Sequence, residues 1–391
     1  MTPKWLIITC VILFLACGTF GLFLAHSRPL WNDEIYSLVS SVGRMSYLDM
    51  IQGKIGEGNA YPLFYAFQKI LCDVTSYEIP ALWREGSWGY EHPYSQVFLR
   101  INPVVFMSLS IVVVFYYFSR HYSLARGLLS LFLSFSSYMI WVYWTEARPY
   151  ALWVFLTTAQ LILFLKLIQN QGSRRLNWIF LTVVHFLLSL TVVFSIPQII
   201  IISLLLWILV EKRWRQYIFF AIIPLVIAGF YYWQSPKYQF CFGLTPEQLI
   251  RDCMSRDRFY ILFIYIFFLG VFFCQKTINF PRLFKDDMIL KDRPILFLTA
   301  WMLAAAFLVL VIFKIYDTHG TAGFAVTSRY FIYLTPLGII ATTILSVDVI
   351  KSLSGNRWIQ FLVTIGISYL LIHRFIKTIP DIRNLCVGLF S

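Results

Sequence analysis

Short basic clusters divide the sequence into apolar runs of roughly 20 residues, and this alternation limits the folds open to the chain more than any motif does. About 20 apolar residues match the thickness of a bilayer's hydrocarbon core. Within lipid, every backbone N–H and C=O must be satisfied inside the segment, so each run is expected to form one helix. The runs lie at roughly 5–25, 97–118, 127–144, 151–168, 178–196, 197–211, 217–233, 258–274, 294–315, 330–348 and 358–374, about eleven in all. Composition agrees: 59% of the 391 residues are hydrophobic and 13% charged, whereas soluble domains carry about a quarter charged residues. The expected fold class is an all-α polytopic membrane protein, a single membrane-embedded domain over residues 1–391 with a short tail at 375–391. There is no internal repeat, low-complexity tract or linker to set off a soluble unit.

The basic residues orient the runs. A net charge of +13 suggests nucleic acid as a partner, but the Lys and Arg residues form no continuous stripe, so that partner is excluded and membrane lipids are expected instead. Arg120 with Arg126, Arg174 with Arg175, Lys212 with Arg213 and Arg215, Lys276 through Arg293, and Lys351 with Arg357 read as successive cytoplasmic clusters. Each stretch between two clusters then has to be a hairpin. The outward tips are "TEARPY" at 145–150, the turn near Pro197, the loop 234–257 and "YDTHGTAGFAVTSRY" at 316–330. Lys4 places residues 26–95 outside as well, as a long first extracytoplasmic loop in which pieces such as "YPLFYAFQKILCDV" form interfacial helices. "FLACG" has the look of a lipoprotein cleavage site, but the apolar run continues to Ala25 and is expected to stay as the first helix. The seven Cys show no zinc spacing; Cys241 and Cys253 share one loop and would bridge in an oxidising compartment.

Three outward clusters carry residue types suited to chemistry. In "RPLWNDEIYS", Asp33 and Glu34 follow the first run closely. A partly desolvated carboxylate there is a better proton acceptor, although an acid at that position also serves as a helix cap or a solvated loop residue. In "WTEARPYAL", Glu146 and Arg148 precede a helix start at Pro149, where an Arg fork and a helix N-terminus suit phosphate; the alternative is an interfacial anchor. In "TSRYFIYLTP", Arg329 stands against the positive-inside trend and calls for an anionic partner, or anchors the outer edge. Asp317 and His319 in the same tip are two potential metal ligands or ordinary loop residues. Tyr36, Tyr61, Tyr65, Tyr143, Tyr150 and Tyr330 are placed to stack on a sugar or to form an interfacial aromatic belt.

In this order the clusters resemble the polyprenyl-phosphate-sugar-dependent glycosyltransferases of the membrane-embedded GT-C class, in particular the bacterial branch similar to protein O-mannosyltransferases and the lipid A aminoarabinose transferase. The resemblance rests on "LWNDEIYS", "YPLFYAFQK", "LRINPVVFMSLSIVVVFYYFSRHYS" and "IWVYWTEARPYAL", and resumes at "SRYFIYLTP". It implies a GT-C-like fold and inverting transfer of a sugar from a polyprenyl-phosphate donor to a glycan, lipid or protein acceptor on the outer face. By the same resemblance Asp33 is the base, Glu34 its neighbour and Glu146 the acid of the second tip, while Arg148 and Arg329 hold the phosphate. Where the family often carries His-Pro-Pro-Leu, this chain has Ala60, Tyr61, Pro62 and Leu63. No cofactor is therefore expected to be required, although a divalent metal ion bridging Asp33, Glu146 and phosphate would suit the same residue types. The competing readings are a transporter or flippase for a lipid-linked saccharide, which would place ionisable groups at mid-membrane, and an envelope glycan polymerase or ligase.

Overall fold

The structure, a computed structural model, describes residues 2–55, 61–79, 93–210, 217–234, 304, 328–352 and 357–385, and the regular elements among them are helices. The first apolar run forms α1 (Pro3–Ser27), with proline at its first position, where a missing N–H costs nothing. A chain of short helices follows: α2 (Asn32–Ser37), continued by a π-helical turn over Leu38–Gly43, then α3 (Tyr47–Ile51), α4 (Pro62–Val74) and α5 (Pro93–Leu99). α4 is amphipathic as expected, burying Phe64, Tyr65, Gln68 and Cys72 while exposing Ile70 and Val74.

The long helices come next. α6 (Ile101–His121) packs against α1, against α7 (Leu124–Phe135) and against α9 (Tyr150–Ile168); α8 (Tyr138–Trp144) lies between the last two in sequence. α10 (Arg174–Ser189) and α11 (Ser195–Leu209) follow, then α12 (Ile223–Gln234). After a 3₁₀ turn at Ser328–Phe331 come α13 (Leu334–Ser352), packed on α7 and α9, and α14 (Arg357–Leu385). Gly21 sets the approach of α1: a Cβ there would lie 2.8 Å from Val104 and 2.9 Å from the Trp144 indole nitrogen, so only glycine lets the three helices meet.

α1, α6 and α9 are each long and apolar enough to cross a membrane. α1 also shows large apolar side chains such as Trp5, Ile12, Leu15 and Phe23 on its outside, where a water-soluble protein would carry polar ones. The expected run at 258–274, that at 294–315 apart from residue 304, the loop beyond residue 234, Asp317, His319, Cys241 and Cys253 lie outside the described residues.

Two expectations are corrected. The run 127–144 is not one straight helix: α7 and α8 meet at a bend of 68°. Hydroxyls of Ser130, Ser134 and Ser136 donate back to carbonyls three or four residues earlier, a habit that bends helices, and the indole N–H of Trp141 takes up the Phe135 carbonyl freed at the break (2.7 Å). The turn between α10 and α11 falls at 190–194 and leaves Pro197 inside the first turn of α11, where proline is tolerated. α14 runs on into the segment expected as a short tail, as far as Leu385.

Candidate active site

The site is built on a residue to which the sequence reading attached no role. Arg100 separates α5 from α6, and its side chain turns inward until only 2% is exposed. All five of its N–H groups are used. Nε donates to Glu34 Oε1 (3.0 Å), and Nη2 donates to Glu34 Oε2 (2.6 Å) and to the Pro29 carbonyl (3.0 Å). Nη1 donates to the Ala25 carbonyl (3.1 Å) and to that of Arg28. The guanidinium thus closes the C-terminal end of α1, where a cation also meets the negative end of the helix dipole.

Glu34 is equally committed. Besides Arg100, its Oε1 accepts from the backbone N–H of Ala147 (2.7 Å) and its Oε2 from that of Trp31 (3.1 Å). The second bond caps the first turn of α2, and the first ties that turn to the connection between α8 and α9. Arg28 adds a parallel tie, donating to the Val142 carbonyl (3.2 Å) and the Thr145 hydroxyl (2.9 Å). Four accepted hydrogen bonds fill the Glu34 carboxylate, so this acid fixes geometry and has no free lone pair for a substrate proton.

Asp33, one residue away, faces the other side of this brace and stays partly open, with 39% of its side chain exposed. Its Oδ2 receives Arg148 Nη1 at 3.1 Å and Arg329 Nη1 at 2.8 Å, two cations 115 and 296 residues away in sequence. Among the described residues no hydrogen bond reaches Oδ1. Each guanidinium rests on a nearby tyrosine ring: Arg148 over Tyr150, two residues on, with 5.2 Å to the centroid, and Arg329 over the adjacent Tyr330 with 5.6 Å. Tyr330 in turn packs on Phe194, from the α10–α11 turn. Arg148 itself lies immediately before α9, whose N-terminus adds positive potential to the junction.

Glu146 belongs to the connection between α8 and α9, outside the spanning segments, and is 5% exposed. Its Oε1 is 3.6 Å from Arg148 Nη1, too far for a hydrogen bond, and makes none. Burial therefore raises its pKa from 4.5 to about 7, with a smaller push from Glu34, against the opposing pull of Arg148, Arg329 and Arg28. Between 4.5 and about 7 the folded chain keeps this proton while the unfolded chain loses it, so stability falls as pH rises through that window, by about 3 kcal/mol in all. Glu146→Gln is expected to remove this loss, which thermal unfolding of both proteins across the window will read.

The predicted residues therefore divide. Asp33, Glu34, Glu146, Arg148 and Arg329 meet, with Tyr150 and Tyr330 beneath the arginines, whereas Tyr36 stands exposed on α2. Tyr61 and Tyr65, expected to stack on a sugar, are both fully buried. The Tyr61 ring lies against Tyr231 with its hydroxyl donating to the Ala228 carbonyl (3.0 Å), and Tyr65 packs edge-on to Phe64, so neither ring has a face open to a sugar. Tyr143, fellow candidate for stacking, packs on Tyr150. Arg100 and Arg28 were missed, although Arg100 stood in the sequence with the same signal as Arg329, a cation on the side where the trend expects few.

Among the described residues no three His, Cys, Asp or Glu side chains gather as a metal would need. Asp33 and Glu146 offer two carboxyls with the Arg148 guanidinium between them. Four guanidiniums face three carboxyls here, Arg28, Arg100, Arg148 and Arg329 against Asp33, Glu34 and Glu146. The excess is one positive charge with Glu146 ionised and two with it protonated, which suits an anion, and the partly open carboxylate suits a proton acceptor. Fold and site together define a helical protein with several segments able to span a membrane and an acid–arginine junction drawn from four separate stretches of chain. No protein-family model matches the chain, and no curated protein matches it.

Proposed function

We propose that the chain is a polyprenyl-phosphate-sugar-dependent glycosyltransferase of the cell (inner) membrane, with about eleven spans and a site facing the exterior. One observation carries the reading: a half-open carboxylate, Asp33, lies at the meeting point of two arginines, Arg148 and Arg329, on segments that the basic clusters assign to one face. An acceptor hydroxyl on a glycan, lipid or protein gives its proton to Asp33. Its oxygen forms a bond to the anomeric carbon while the bond from that carbon to the phosphate oxygen breaks, and the electron pair leaves with the lipid phosphate. Arg148 and Arg329 stabilise the charge that develops on this phosphate. Glu34, locked by Arg100, positions Asp33.

A passage through the membrane gains no support from the buried polar groups. His185, within α10, is closed off: Nδ1 faces the Phe220 carbonyl at 2.8 Å and Nε2 faces Gln160 at 3.0 Å. Such an arrangement holds helices together rather than lining a path.

Purified protein given radiolabelled polyprenyl-phosphate sugars should release the carrier, and release should depend on Asp33; no release with any such donor, with acceptor fractions of the envelope supplied, would sink the reading. Arg148→Lys should lower the rate by about 10² or more, because an ammonium lacks the planar fork that grips a phosphate. A rate close to that of the parent would leave Arg148 as an interfacial anchor.

A further inference from the structure

Resting on that reading of the site, the geometry points to an exchange of partners. We propose that Asp33 holds the phosphate position before a donor binds, that the phosphodiester of the incoming donor takes over Arg148 and Arg329, and that only then is Asp33 released to act as a base.

The two acids of the opening pair are held in opposite ways. Glu34 and Arg100 form a closed unit, with every N–H of the guanidinium used and every oxygen of the carboxylate doubly engaged, and nothing in it can be traded without leaving a buried charge unpaired. Asp33 is held loosely. Arg148 and Arg329 each reach it through a single Nη1, and both compete for one oxygen. The Nε of Arg329 is buried and makes no hydrogen bond among the described residues, so a carboxylate leaves part of this cation unsatisfied. The donor's phosphodiester has two unbridged oxygens, one for each guanidinium, where both now share a single oxygen of Asp33, and charge-assisted contacts of that kind are the stronger ones. The arginines do not depend on Asp33 for their place, because the Tyr150 and Tyr330 rings support them from below.

The consequence is an order of events. While the site is empty, Asp33 is engaged with two cations and does not activate water or acceptor; once phosphate is seated, the proton acceptor and the leaving group's partners become available together. The active site then couples base release to donor occupancy, which limits proton abstraction without a donor.

The test separates this exchange from the transferase reading because it uses a phosphate without a sugar. Binding of undecaprenyl monophosphate, and separately of inorganic phosphate, is measured by calorimetry on the full chain in detergent for the parent, Asp33→Asn and Asp33→Ser. It is measured again with Arg148→Ala and Arg329→Ala combined, with and without Asp33→Asn. The exchange predicts that removing the carboxylate tightens binding about tenfold, the equivalent of two partly exposed ion pairs, and that the gain vanishes when the arginines are absent. A gain with both probes assigns recognition to the phosphate alone; a gain with the lipid alone adds the chain, and either supports the exchange. Unchanged or weaker binding in both Asp33 variants overturns it, as does an equal gain without the arginines, which is long-range repulsion. Carrier release by the parent combined with no gain would sink the exchange and leave the transferase standing. A gain combined with no transfer would do the reverse.

Discussion

Asp33→Asn is expected to abolish sugar transfer, by about 10³-fold or more, while the protein remains in the membrane at normal abundance. The amide keeps the shape of the carboxylate and cannot accept the acceptor's proton, and loss of a positioned base costs about 10² to 10⁴ in rate. The side chain is 39% exposed, and its ion pairs with Arg148 and Arg329 are partly solvated, so the variant loses little folding stability. The effect should fall on kcat, and KM for the donor should not rise, because Arg148 and Arg329, the proposed phosphate partners, stay supported by Tyr150 and Tyr330 and no longer pair with a carboxylate. Steady-state kinetics with a labelled donor read both constants. A variant that turns over at the parent's rate removes Asp33 from the chemistry.

The second large effect lies at Arg100, the partner of the neighbouring acid Glu34, and has the opposite character. Arg100→Met should cost about 3 to 5 kcal/mol of stability, since it leaves the Glu34 carboxylate buried without its cation. The Asp33→Asn and Arg100→Met pair therefore separates chemistry from architecture: one kills turnover in a stable protein, the other lowers the thermal midpoint first. Combining Arg100→Met with Glu34→Leu removes both charges and should recover most of the stability, because a buried pair is often no better than apolar residues of similar volume. Transfer should not recover with it. Leucine cannot accept from the Ala147 N–H, and the tie between α2 and the α8–α9 connection is lost. Full activity in the double variant would show that the brace has no bearing on the position of Asp33.

Much of this was readable in the order of residues, for physical reasons that are local. Length and apolarity of a run are properties of a window, and a bilayer imposes its thickness on any such window, so α1, α6 and α9 lie close to the runs that announce them. The serines that bend α7 into α8 were visible too, but hydropathy averages over them, and their effect depends on which carbonyl each hydroxyl finds. Tyr61 and Tyr150 look alike as interfacial aromatics. Packing against Tyr231 turned one into core, and an arginine above the ring made the other a support.

From the order of residues alone came the helical character, the alternation of apolar runs with basic clusters, and the expectation that Asp33, Arg148 and Arg329 belong to one face. Each follows from short-range composition acting against a solvent of fixed thickness. Only the folded chain decided that Glu34 is spent on Arg100, that Ala147 hangs from the same carboxylate, and that a single oxygen of Asp33 receives both outer arginines. Hydrogen bonds act over about 3 Å and carry no trace along the sequence, so partners 66, 113 and 296 residues apart are chosen by packing.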